Sequence, residues 1–160
     1  MHGLTRPLPA RAWLLLLGLS FLVGACSYLP GATLSPREAA LRALAGHEAQ
    51  WLAKGITSYT FSVARSCFCP FTDPVDVTVV DGVVTTVTRS GLPVEPLDVE
   101  GVPKTVPELF ALVSAQPASA AMTVEWDATF GFPSSIQVDP IANATDDEFG
   151  IIVTNFRPAS

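Results

Sequence analysis

Histidine is nearly missing from this chain of 160 residues: there are two, and only His47 lies beyond the first few positions. Lysine is as scarce, with Lys54 and Lys104 alone, so a serine or threonine nucleophile has almost no base to activate it. Cysteine occurs three times, as Cys26, Cys67 and Cys69. One close pair and a distant His47 do not make the spaced four-ligand set of a structural zinc site, and no thioredoxin-like Cys-x-x-Cys is present. Cations are few throughout. Beyond residue 25, seven Lys or Arg stand against fifteen Asp or Glu, a formal charge of −8. That balance argues against nucleic acid, where cationic contacts to phosphate supply most of the affinity. From residue 105 onward Arg157 is the one cation against Glu108, Glu125, Asp127, Asp139, Asp146, Asp147 and Glu148, an acidic face that aids solubility.

Long apolar runs are missing too, with one exception that accounts for much of the mean hydropathy of +0.40. Arg6 and Arg11 precede an apolar run from Ala12 to Val23. That run has the length of a secretory h-region and falls short of the roughly 20 residues a spanning helix needs. Its end, Val23-Gly24-Ala25-Cys26, is similar to the lipobox of bacterial lipoproteins. The resemblance implies cleavage before Cys26, a diacylglycerol thioether on its sulfur, and often acylation of the new amino group. Two or three acyl chains anchor firmly where one binds marginally. An ordinary signal peptide cut at Ala25, or an uncleaved anchor, is the competing reading. Ser27 is not the Asp that retains many Gram-negative lipoproteins in the inner membrane. Both the outer face of the cytoplasmic membrane and the outer membrane are therefore open addresses. The chain divides into a signal peptide at 1–25, a lipidated cysteine and tether at 26–34 with Pro30 and Gly31, and a single α+β domain at 35–160. A domain of that size can bury a core without disulfide staples.

Ser35-Pro36-Arg37-Glu38 is a capping box with proline at the first helical position, so a helix should begin there. Leu41, Leu44, Ala45 and Leu52 give its apolar seam with Trp51 beside it, and Gly55 supplies the stop. His47 falls in this helix as an exposed or interfacial residue. Tyr59, Phe61 and Val63 then alternate with Thr60, Ser62 and Ala64, which predicts a half-buried strand. Val75, Val77 and Val79 form a second, and residues 83 to 88 a third. A two-residue turn at Asp81-Gly82 would set Val79 opposite Val84 and Val77 opposite Thr86, mixing faces. A three-residue loop, Val80 to Gly82, is therefore expected, pairing Val79 with Val83 and Val77 with Thr85. Residues 90 to 104 read as a surface crossing. Thr105-Val106-Pro107-Glu108 reads as a second capping box, opening a short helix. Three further strands follow, around Met122 to Trp126, Phe132 to Val138 and residues 148 to 156. The expected fold is α+β, an antiparallel sheet of about six strands with two helices on one face. A helix-plus-three-strands unit would then occur twice.

Trp51, Tyr59-Thr60-Phe61, Cys67-Phe68-Cys69, Val77 with Asp81-Gly82, Thr105-Val106 with Leu109-Phe110, Asp127 with Gly131-Phe132-Pro133, and Asp146-Asp147-Glu148 together resemble a bacterial lipoprotein family known only as domain of unknown function 6174. The resemblance covers about residues 48 to 158. It implies an extracytoplasmic location and carries no catalytic residue.

In a regular strand Cys67 and Cys69 project from one face, too far apart to bond, so a disulfide between them demands a turn or bulge. An oxidising envelope favours that disulfide, with about 1.6 kcal/mol from loop closure and a mainly local, shape-setting role. Asp139, Asp146, Asp147 and Glu148, with Asp127, are oxygen ligands of the kind calcium takes, though without EF-hand spacing; loop aspartates also serve turns. The reading that follows is a non-enzymatic, lipid-anchored domain of the cell envelope. Its covalent group is the lipid on Cys26, and its partners are a membrane and an envelope protein. The alternative is a thiol-disulfide or metal-dependent activity centred on Cys67 and Cys69.

Overall fold

Proline at the first helical position and reciprocal bonds between Ser35 and Glu38 start the first element in the computed structural model, which describes residues 34–69, 72–141, 144 and 146–159. The Glu38 N–H donates to Ser35 Oγ at 3.2 Å and the Ser35 N–H donates to Glu38 Oε2 at 2.9 Å. Both orphan donors are thereby satisfied. This helix, α1, spans Pro36–Ala53 and ends at Gly55, whose φ of +62° suits a residue without a Cβ. Its inward face keeps only part of the expected seam, since Leu41 and Leu44 pack against the core. Ala40 and Trp51 are buried with Leu44 and His47 between them, whereas Ala45 faces water and Leu52 is 69 % exposed. The spacing i, i+4, i+7, i+11 through Ala40, Leu44, His47 and Trp51 is as helical as the seam through the leucines. Placing Trp51 inward buries the largest apolar side chain, which decides the rotation.

The strands are β1 Tyr59–Ser66, β2 Val75–Val80, β3 Val83–Arg89, β4 Leu92–Pro93, β5 Ala121–Trp126, β6 Pro133–Asp139 and β7 Phe149–Pro158. They form one antiparallel sheet in the order β4-β3-β2-β1-β7-β6-β5. Seven strands replace the six expected, because Ser90 and Gly91 turn the chain at positive φ and fold Leu92–Pro93 back on β3. A short 3₁₀ helix, Pro96–Val99, fills the rest of that crossing. A second helix, α2, spans Val106–Ser114. Its capping box is half realised. Thr105 Oγ1 accepts from the Glu108 N–H at 3.2 Å, but Glu108 Oε2 accepts from the Lys104 N–H at 2.7 Å instead of from Thr105.

The hairpin between β2 and β3 differs from expectation in an instructive way. Asp81 and Gly82 both have positive φ, +49° and +79°, the signature of a two-residue type I′ turn. Val79 pairs with Val84 as such a turn demands, and a bulge then skips Thr85, so that Val77 pairs with Val87. The bulge repairs the facing that a regular ladder would have spoiled. The twofold repeat is not realised either. The first strand of the first half, β1, is central, whereas the first strand of the second half, β5, is an edge.

Tyr59, Phe61 and Val63, with Val75, Val77 and Val79 beside them and Ile151, Val153, Ile136, Val138 and Met122 across β7, β6 and β5, form the buried face of the sheet. Trp51, Val106, Leu109, Phe110 and Val113 of the helices close over it. The buried Tyr59 hydroxyl accepts from the Val106 N–H at 3.0 Å, tying β1 to the start of α2. Burial pushes the Tyr59 pKa above its usual value. At the α1 C-terminal end Trp51 meets Tyr59, Phe132 and Phe156 edge-on at 5.5, 6.3 and 5.8 Å between ring centroids. Gly131 crosses beneath α1 there. With φ +85°, a Cβ on it would lie 2.8 Å from the His47 carbonyl oxygen. Among the described residues no helix is long and apolar enough to cross a membrane.

Candidate functional site

At the opposite end of the sheet lie Cys67 and Cys69, at the close of β1, and Asp139, Asp146, Asp147 and Glu148, at the close of β6 and the approach to β7; Asp127 lies apart from them, in the turn beneath α1. β1 runs out at Ser66 and the chain bends through Cys67–Cys69, with the Cys69 N–H donating to the Cys67 carbonyl at 2.9 Å. That i to i+2 bond makes a tight turn. It swings the two side chains together, with Cα atoms 5.2 Å apart, and Cys67 and Cys69 form a disulfide. The turn that the pairing required is thus present. Phe68, at its tip, is 84 % exposed, while both cysteines are half-buried.

Beside the disulfide lies a shallow groove of about 340 Å³, lined by Ser66, Cys67, Phe68, Gln137, Asp146, Glu148, Phe149 and Gly150. Gly150 stands between Ser66 of β1 and Gln137 of β6 in the sheet. A Cβ there would meet Ser66 Oγ and Gln137 Oε1 at 2.5 Å, so the missing side chain is what admits those two. Arg65 sits over the Phe149 ring, its guanidinium 5.4 Å from the ring centroid.

Gln137, Glu148 and Phe149 are shared with a larger groove of about 760 Å³. Its other walls are the start of α1 from Ser35 to Glu38, the loop and strand from Ala118 to Thr123, and Val138 and Asp139 at the end of β6. Arg37 holds two of these walls together, since its Nη2 donates to the Gln116 carbonyl at 2.9 Å. Hydrogen bonds from Ser35, the backbone N–H first, hold the Glu38 carboxyl below its usual pKa.

The carboxylates proposed as calcium ligands are near this end but are not gathered. Asp139 closes β6, and Asp146, Asp147 and Glu148 lead into β7. Among the described residues no group of three His, Cys, Asp or Glu lies close enough to hold a metal ion. Asp127 is committed to a turn, its Oδ1 accepting from the N–H groups of Thr129 at 2.9 Å and Phe130 at 2.7 Å. Asp139 Oδ1 and both oxygens of Asp147 are shut away from solvent with no hydrogen-bond partner among the described residues. His47 lies elsewhere, stacked on Trp126 at 4.3 Å with 8° between planes. The signal segment, Cys26 and the tether as far as Thr33 fall outside the described residues.

Arg37, Glu38, Gln137 and Phe149 had no signal in the sequence as site residues. They come from separate segments of the chain, Arg37 and Glu38 brought in by the packing of α1 on β5 and Gln137 and Phe149 by the pairing of β6 with β7.

A family model described as a family of unknown function (DUF6174) matches residues 43–158, from the middle of α1 to the end of β7. No curated protein matches the chain.

Proposed function

Because the chain belongs to that family of unknown function, we propose a role from its own geometry: a non-enzymatic binding module, held at the bacterial cell envelope by a lipid on Cys26. The observation that carries the binding role is the pair of adjoining grooves at one end of the sheet, the larger about 760 Å³ and mixed apolar and acidic in its walls. A cleft of that size and character is where a folded domain takes up a ligand. The lipobox-like Val23-Gly24-Ala25-Cys26 supports the anchor, and the disulfide fits an oxidising compartment on either envelope membrane. In this reading the membrane is met through the acyl chains, and an envelope component is the partner.

A second reading has one observation in its favour. The Cys67–Cys69 disulfide borders a groove and carries the exposed Phe68 at its tip, a placement that would let a thiol substrate approach. Any metal-dependent chemistry on the pair would first need that bond reduced. Intact mass of the natively expressed protein, with thiol alkylation under graded reduction, separates the two. Acylated Cys26 and a bond that resists mild reductant support the anchored binding module. A pair that equilibrates at an oxidoreductase potential overturns it in favour of thiol exchange, and a chain cut at Ala25 without lipid removes the anchor.

A further inference from the structure

Large apolar side chains reach solvent at both ends of the sheet. Where β1 and β6 finish and β7 begins, Phe68 is 84 % and Ile141 63 % exposed, and Leu34 is exposed as well. The two grooves show that these residues share one end. The larger is bordered by the start of α1 from Ser35 together with Asp139 and Glu148, the smaller by Glu148 together with Phe68, and Ile141 stands two residues beyond Asp139. Leu52, Val80 and Val83 are exposed at the other end. There the β2–β3 hairpin meets the chain leaving α1, the Gly82 N–H donating to the Thr57 carbonyl at 2.7 Å.

Scattered exposed apolar residues are ordinary on a protein surface, but Phe68 carries a bonded cysteine on each side. Its turn is closed twice, by the disulfide and by the hydrogen bond from the Cys69 N–H to the Cys67 carbonyl. The ring is therefore fixed outward before it meets anything, which lowers the ordering cost of binding through it.

Chain length distinguishes the two ends. The described chain begins at Leu34, and Cys26 lies eight residues earlier, a stretch that spans at most about 28 Å when fully extended. The 18 residues of α1 carry the chain about 27 Å away, to the end that bears Val80 and Val83. With a lipid on Cys26, the end bearing Phe68 and Ile141 reaches a bilayer on a slack tether. The far end reaches it only if the tether is drawn out nearly straight. Charge then selects the headgroups. Asp146 and Glu148 are exposed beside Phe68; they repel an anionic surface and accept the ammonium ends of a zwitterionic one.

We propose that this end of the domain docks on the surface of a zwitterionic bilayer, with Phe68, Ile141 and Leu34 seated at the boundary between headgroups and acyl chains. The inference rests on the anchored reading and adds a second, non-covalent contact to it. Apolar side chains at that boundary sit about 5–10 Å below the surface, a depth that a tryptophan can report.

The test is reconstitution of the natively expressed protein into vesicles of phosphatidylcholine and phosphatidylethanolamine, part of the phosphatidylcholine being brominated at the top of its acyl chains. Emission of one added tryptophan is read after subtracting that of the parent protein. Phe68→Trp and Ile141→Trp should each lose about half of the added emission, and Val83→Trp, at the far end, less than about a tenth. Exchanging the phosphatidylethanolamine for phosphatidylglycerol should weaken the quenching of Phe68→Trp. All three positions are exposed, so the variants should fold as the parent does, and thermal melts verify this. The inference is overturned if either Phe68→Trp or Ile141→Trp is quenched no more than Val83→Trp, or if phosphatidylglycerol strengthens the quenching. Flotation of the same vesicles and intact mass of the same sample keep this apart from the anchored reading. A lipidated protein that floats without quenching retains the anchor and refutes the docking. A protein that floats and is quenched without lipid refutes the anchor and leaves the docking, and one that does not float refutes both.

Discussion

Gly131→Ala should be far more damaging than an ordinary glycine substitution, and the structure says by how much. Two terms act there. An alanine at φ +85° occupies backbone space that L-residues avoid, at about 1–2 kcal/mol. Its Cβ would also stand 2.8 Å from the His47 carbonyl oxygen and 3.0 Å from Gln50 Cβ. The carbonyl belongs to α1, so relief means displacing the helix that seats Trp51, an overpacking strain of about 1–3 kcal/mol. Gly82→Ala isolates the first term, because Gly82 has a similar φ of +79° and nothing lies within 4 Å of where its methyl group would stand. Urea unfolding of the full chain, followed by tryptophan fluorescence, should therefore show Gly131→Ala destabilised by about 3 kcal/mol and Gly82→Ala by about half that. At this chain size the melting temperatures would fall by about 12 °C and about 6 °C. Equal losses for the two variants would refute the close approach of the Asp127–Phe132 turn to α1.

Two further outcomes concern single hydrogen bonds. Tyr59→Phe leaves the buried Val106 N–H without its acceptor and should lower stability by about 1–3 kcal/mol. Burial raises the Tyr59 pKa above its ordinary value of 10.0, so the unfolded chain ionises first; the contribution is complete below pH 10 and is lost as pH rises through the folded pKa. Stability measured against pH should fall less steeply in the alkaline range for Tyr59→Phe, and an unchanged slope would show that another group sets it. At acid pH the sign reverses for Glu38. Its folded pKa is held below 4.5 by Ser35, so its contribution is present above pH 4.5 and lost as pH falls through the folded pKa. Glu38→Gln should flatten that acid limb, and chemical denaturation at stepped pH would expose any failure to do so.

What could be read from the sequence was local. The Ser35–Glu38 box, the alternation through Tyr59, Phe61 and Val63, and the need for a turn at Cys67–Cys69 each depend on neighbours within four residues, and each is present. Errors arose where a distant partner decides. Trp51 turns inward because Tyr59, Phe132 and Phe156 surround it, and no helical periodicity could weigh that against the leucines. The hairpin departs from expectation because the facing rule is met outside the turn, by a bulge at Thr85 one step later. The groove was invisible for the same reason. Its walls come from Met122, Asp139 and Phe149 of the sequential strands β5, β6 and β7 and from Arg37, which joins them only when α1 packs against β5.

That central β7 also governs when the domain can exist at all. β1 is made early and its inner neighbour late: Asn155 Nδ2 donates to Ser62 Oγ across 93 positions of chain. Until β7 arrives, Ile151 and Val153 are missing from the core and the two outer parts of the sheet have no common seam. Long-range closure of this kind makes folding slow and nearly all-or-none. The chain therefore stays open until its last strand is made, and its two half-sheets lock together only then.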